Sequence, residues 1–164
     1  MRIVFLFVVA LMILSGNMRA QTSSSLIGTW KLVSASSSTA TGGCNNTPYG
    51  PNPTGVLIYN SDGRMAVMVS YDGRKKLSVA DRAAAPAEER AEAFTTFFAY
   101  SGRYTVKDDK VIHHIELASL QNWVGTDQVR LIKQHGDRII LITPPVQLNG
   151  RMETFELTWE RVKR

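Results

Sequence analysis

The segment KVIHHIELASLQNWVGTDQVR, from Lys110 to Arg130, gathers the side chains in this chain best suited to chemistry: adjacent His113 and His114, then Glu116, Trp123 and Arg130. Imidazole exchanges its proton readily near neutral pH, so a histidine in an enclosed site can act as general acid or base. His114 and Glu116 are two apart, which on a strand puts both on one face and offers two metal ligands. A site needs a third or fourth donor and none is spaced to supply it, so no metal is expected. The chain has no Gly-x-Ser-x-Gly elbow, phosphate-cradling glycine loop or paired-cysteine zinc motif, and no cofactor is expected. The single cysteine, Cys44, lies in a Ser/Thr/Gly-rich tract with no histidine close in sequence to activate it.

These residues are held by a chain of 164 residues, enough for one domain with a real core. Past residue 20, short runs rich in Val, Ile, Leu, Thr and Tyr alternate with turn residues, the pattern of an all-β sandwich or barrel. Eight strands are predicted, near 26–34, 54–60, 64–71, 100–106, 111–118, 127–134, 138–143 and 153–162. One helix is predicted between strands three and four, over PAEERAEAFTTFF. Pro86 suits its first turn, and Glu88 and Glu89 suit the positive end of its dipole. Ala87, Ala91, Phe94 and Phe98 share the side expected to pack on the sheet.

Tight turns, NSDG, KDDK and HGD, join strands two to three, four to five and six to seven. The other connections are long, and in an up-and-down order they all fall at one rim. The expectation is an eight-stranded antiparallel up-and-down barrel with a closed base and a loop-framed mouth. A ring of that size encloses side chains or one small ligand.

Folding strands four and five about KDDK pairs Val106 with Val111, Tyr104 with His113, Gly102 with Ile115 and Tyr100 with Leu117. That face is apolar and aromatic, so by the usual rule it is interior, and Tyr100, Tyr104 and His113 would line the cavity. The other face carries Arg103, His114 and Glu116 as a solvated charge cluster. A polar cavity would reverse the two faces. Trp123 falls in the connection after strand five, at the mouth, where its ring either closes over a ligand or anchors the loop. The facing of Arg130 stays open; turned inward, its guanidinium would require an anionic partner on the protein or on the ligand.

The N-terminal MRIVFLFVVALMILSGNMRA has a basic start at Arg2, an apolar run from Ile3 to Leu14 and small or polar residues after it, the order of a secretory signal. Residues 1–20 are therefore expected to be removed after Ala20, leaving an exported periplasmic or secreted domain over 21–164. The run is too short for a membrane span of roughly 20 apolar residues. Taking Arg2 and Arg19 from the 19 basic residues leaves 17 against 14 acidic, a net +3 too small and too dispersed to favour nucleic acid. One cysteine permits no internal disulfide, so stability must come from the core.

The strings LIGTWKLVS, PYGPNPTGVLIYNSDGRMAVM, YSGRYTV, VIHHIEL, NWVGTDQVR and LTWERV together resemble the bacterial and fungal lipocalin-like domain family, over nearly all of the chain past residue 20. The resemblance implies a small lipocalin-like, or calycin-like, barrel that holds an apolar small molecule; it supplies no catalytic residue. The Gly-x-Trp of strand one and the late arginine resemble the lipocalin arrangement in which the Trp plugs the closed end and the Arg packs over it. That implies Gly28, Trp30 and Arg161 at the base. With strands one and eight as neighbours, Gly28, Trp30 and Leu32 share an inner face with Phe155, Leu157 and Trp159, and Trp30 and Trp159 join the structural base. The expected function is binding of an apolar or weakly anionic small molecule, with Tyr100, Tyr104, His113, Trp123 and Arg130 as ligand contacts. The alternative is a cofactor-free isomerase, cyclase or hydrolase using His113.

Overall fold

The computed structural model describes residues 24–45, 47–148 and 150–163. The expected leader, residues 1–20, lies outside them. The strands are β1 (Gly28–Thr39), β2 (Cys44–Asn45), β3 (Thr54–Tyr59), β4 (Arg64–Ser70), β5 (Phe97–Lys107), β6 (Lys110–Ala118), β7 (Asp127–His135), β8 (Arg138–Ile142), β9 (Val146–Leu148) and β10 (Arg151–Arg161). All strand pairings are antiparallel, and β1 also pairs with β10, so the sheet closes on itself. The fold is all-β: a closed eight-stranded barrel whose staves are β1, β3–β8 and β10. No helix among the described residues is long and apolar enough to cross a membrane.

β2 and β9, which the sequence reading left as connections, extend the wall above the mouth. The lower part of β1 pairs with β3 and its upper part with β2; the lower part of β10 pairs with β8 and its upper part with β9. β1 thus runs on to Thr39 through the serines 36–38, past residue 34 where the first predicted strand ends and a long connection is expected. The ladder from Ser34↔Thr158 to Thr39↔Glu153 satisfies its backbone there, an override of weak local propensity by long-range pairing. Two register shifts bend the staves: Val33 is the extra residue in β1, between Leu32 and Ser34, and Glu116 is the extra residue in β6, opposite the step from Ser101 to Gly102.

The helix, α1 (Ala87–Thr95), lies between β4 and β5, the third and fourth staves, but it does not pack on the sheet as expected. It has no buried residue and Phe94 is 51% exposed. Phe98 belongs to β5 instead, because the helix stops where the Thr96 hydroxyl and amide both donate to the Glu92 carbonyl. Arg74 holds this end, donating to the Ala93 carbonyl and lying over the Phe97 ring at 5.2 Å.

The base is built on Trp30. Its indole N–H donates to the Leu26 carbonyl at 2.8 Å, and the Arg161 guanidinium lies 4.0 Å over its ring. Arg161 also donates to the carbonyls of Ile27 and Ser25. Gly28 lets the guanidinium through: its φ is +137°, and a Cβ there would stand 2.6 Å from Nη1 of Arg161. Trp159 sits one layer higher, opposite Leu32, and forms the floor of the space above rather than the plug itself.

Candidate functional site

Above that floor the barrel encloses a cavity of about 600 Å³. Its walls come from both layers of the fold. β3, β4, β8 and β10 contribute Leu57, Val67, Leu141, Phe155 and Leu157 from the inner faces that period-two alternation dictates. The mouth adds an aromatic collar. Tyr49, buried in the connection before β3, stacks on Phe155 at 5.9 Å between centroids and meets Tyr71 at 4.7 Å and Phe98 at 5.8 Å. Trp123 meets Phe98 and Tyr100 edge-on at 6.0 and 5.7 Å. It lies at the mouth in the single turn Gln121–Trp123, with its ring on the cavity.

β5 and β6 pair as expected through Val106↔Val111, Tyr104↔His113 and Gly102↔Ile115. Beyond that point the bulge breaks the register: Tyr100 stands opposite Ala118, and Leu117 pairs with Ser101 on the outer face, 69% exposed. The cause is close approach at Gly102, where a Cβ would lie 1.9 Å from the His114 carbonyl oxygen. The unpaired residue is Glu116 on β6, so the bulge turns Leu117 outward while Tyr100 stays inward by the unbroken alternation of β5.

His113 is buried, 1% exposed, and both ring nitrogens are engaged. Nε2 is 2.7 Å from the Tyr59 hydroxyl and Nδ1 is 3.0 Å from the Tyr100 hydroxyl. Burial pushes the imidazole pKa well below its usual value, and the charge of Arg130 and the neighbouring His114 add to this, so the ring is neutral at physiological pH. Burial raises the Tyr59 and Tyr100 phenols, against the opposing pull of Arg130.

Arg130 faces the cavity. The register Val111↔Arg130 and His113↔Gln128 puts Arg130 and Gln128 inside with them. Its guanidinium donates to the Val129 carbonyl at 2.7 Å and the Gln128 side-chain oxygen at 3.4 Å, and it belongs to none of the ion pairs among the described residues. Among the described residues, a half-buried positive charge bearing on Tyr49, Tyr59, Tyr100 and His113 is thus neutralised by no carboxylate within ion-pair distance.

Tyr104 is placed elsewhere. It lies below the cavity, its hydroxyl donating to the Asn60 carbonyl in the β3–β4 turn at 3.0 Å and its ring against Tyr59 at 4.7 Å. The outer-face cluster is wider than expected: Glu116 pairs with Arg64 at 3.1 Å and Arg103 at 3.5 Å, while His114 bridges Asp127 at 2.7 Å and Thr105 at 3.0 Å. Tyr49, Tyr59 and Gln128 were not singled out from the sequence. Tyr59 alternates with Leu57 along a predicted strand and so was legible as an inner-face residue; Tyr49 sits in a loop and gave no periodic signal.

The pattern of the lipocalin-like domain matches residues 27–162. The chain belongs to the lipocalin-like domain family. Among its relatives, the 4′-hydroxy-3′-methoxypropiophenone carrier protein of Aspergillus oryzae is 36% identical over 103 residues, 57% of this chain and 87% of its own length. Among solved structures, secretory abundant heat soluble protein 4 from Ramazzottius varieornatus aligns over 84% of this lipocalin-like chain and 95% of its own at 12% identity and a TM-score of 0.38.

Proposed function

We propose that this lipocalin-like protein is an exported carrier of an apolar or weakly anionic small molecule, held in the barrel without chemical change. The observation that carries the reading is the cavity itself: about 600 Å³, within the roughly 300–1,000 Å³ usual for small-molecule sites, with mostly apolar and aromatic walls and a few convergent polar groups. A rigid base below and long loops above suit a container loaded from one end. The carrier role of the Aspergillus oryzae relative supports the same reading. The second reading, a cofactor-free isomerase, cyclase or hydrolase with His113 as acid or base, draws on the presence of an imidazole in the wall. The depressed basicity of that ring and the engagement of both its nitrogens favour carriage.

The test is titration of the purified protein, residues 21–164, with 4′-hydroxy-3′-methoxypropiophenone and a panel of similar aromatic compounds, followed by tryptophan fluorescence. Saturable quenching that shrinks in Trp123→Phe, with ligand recovered unchanged after long incubation, is the expected result. Absence of binding across the panel would sink the carrier reading; conversion abolished by His113→Ala but retained in His114→Ala would establish the enzyme instead.

A further inference from the structure

The hydrogen bonds around His113 have a direction that can be worked out by counting protons. Tyr59 is fully buried and does not line the cavity, and its hydroxyl has one partner among the described residues, His113 Nε2. A buried hydroxyl proton needs an acceptor, so Tyr59 donates to Nε2. The imidazole is neutral, and a neutral ring that accepts at Nε2 carries its hydrogen on Nδ1. Nδ1–H therefore donates to the Tyr100 oxygen 3.0 Å away. The proton of Tyr100 is then left without an acceptor among the described residues. Its other polar neighbour, Arg130, is a pure donor. Tyr100 lines the cavity beside Arg130, so a hydroxyl proton without an acceptor and a guanidinium held only by neutral acceptors, the Val129 carbonyl and the Gln128 side-chain oxygen, converge there with no carboxylate partner among the described residues.

We propose that the Tyr100 hydroxyl and the Arg130 guanidinium form a subsite for an anionic oxygen, on a carboxylate or an acidic phenol, at the inner end of an otherwise apolar ligand, with Tyr59 and His113 as positioning residues that keep the Tyr100 proton aimed at it. Such an oxygen accepts both donors and supplies the counter-charge that the guanidinium lacks. The aromatic collar then holds the apolar body toward the mouth, which sets the ligand's orientation: acid inward, ring or chain outward. The inference rests on the carrier reading and adds to it the class of ligand and the way it sits.

The experiment compares 2-naphthoate with its methyl ester, which has the same body and no charge, by calorimetry at pH 8; 4-nitrophenol is a third probe, because its absorbance reports whether it is bound as phenolate. Native protein should bind 2-naphthoate roughly ten- to a hundredfold more tightly than the ester, or hold 4-nitrophenol as phenolate, and the arm that responds names the source of the oxygen. Arg130→Met and Tyr100→Phe should each remove most of the preference for the charged probe while changing ester binding less than about threefold. The distinguishing variant is Tyr59→Phe. Its ring does not touch the cavity, yet it should weaken the anionic probe several-fold and leave the ester alone, because His113 is then free to take up the Tyr100 proton. Equal binding of acid and ester, with 4-nitrophenol not held as phenolate, overturns the subsite and leaves the carrier reading standing, as does a Tyr59→Phe variant that loses both probes alike. Failure of all three probes to bind native protein overturns both.

Discussion

Replacing Gly28 by alanine tests the base of the barrel, because the new Cβ would meet a guanidinium already committed to three contacts. The Cβ would stand 2.6 Å from Nη1 of Arg161 on a backbone with φ of +137°. Holding a non-glycine residue in that conformation costs about 1–3 kcal/mol. Displacing the guanidinium also breaks its donation to the Ile27 and Ser25 carbonyls and its stacking 4.0 Å over Trp30. Charge-assisted hydrogen bonds of this kind contribute about 1.5–3 kcal/mol each when buried, but these lie at a barrel end open to water, so about 2 kcal/mol for the whole anchor is a fair discount. Gly28→Ala should then destabilise by about 3–5 kcal/mol and Arg161→Ala by about 2. The double variant should be no worse than Gly28→Ala alone, since the anchor can be lost only once; the cycle therefore carries a coupling of about 2 kcal/mol. Urea unfolding of the four proteins measures all of this, with unchanged m-values as the check on two-state behaviour. Strict additivity, or an Arg161→Ala protein as stable as the parent, would refute the account. Trp30, the fully buried ring beneath the guanidinium, should matter more than Arg161 and about as much as Gly28: its truncation to alanine removes about 3–5 kcal/mol. Neither Trp30 nor Arg161 lines the cavity, so Arg161→Ala should keep its ligand affinity.

Two further outcomes follow from the wall that carries His113. Gly102→Ala would place a Cβ 1.9 Å from the His114 carbonyl oxygen and 2.9 Å from the Glu116 nitrogen, both backbone atoms unable to swing aside, so β5 and β6 must separate; a loss above about 3 kcal/mol is expected, read as reduced soluble yield and a lowered melting temperature, and a parent-like melting curve would contradict the bulge. Stability should also fall with acid: the folded His113 resists protonation while the unfolded chain takes up its proton near pH 6.5, so stability is fully present above that pH and declines below it by up to about 1.4 kcal/mol per unit. His113→Gln should flatten the curve of unfolding free energy between pH 6.5 and 5, and an unchanged slope would show that the imidazole is protonated in the fold.

The barrel was legible from the order of residues because its determinants are local. Period-two alternation and the turns NSDG, KDDK and HGD specify each hairpin on its own, and short and long connections in alternation leave one plausible arrangement of rims. The inward facing of Tyr100 and His113 followed from that same alternation, and their positions in the wall agree with it. Elsewhere a local signal misled. The helical spacing of Phe94 and Phe98 is real, yet Phe98 gains more by joining β5 and meeting Tyr49 and Trp123, a contact set no window around residue 98 contains. The serine tract reads as loop by composition and becomes strand because β10 lies beside it.

The polar end of the cavity depends on contacts between residues far apart in the chain. Tyr59 reaches His113 across 54 positions, and the orientation of Arg130 depends on the β6–β7 register, which a loop of irregular structure leaves undefined until both strands are in place. Burial, which keeps His113 neutral, and the lack of a carboxylate partner for Arg130 are properties of a closed ring. Desolvation and the inventory of neighbours exist only once the staves have met, so residue types along the chain could nominate these groups but could not show that they converge, or that their donors outnumber their acceptors.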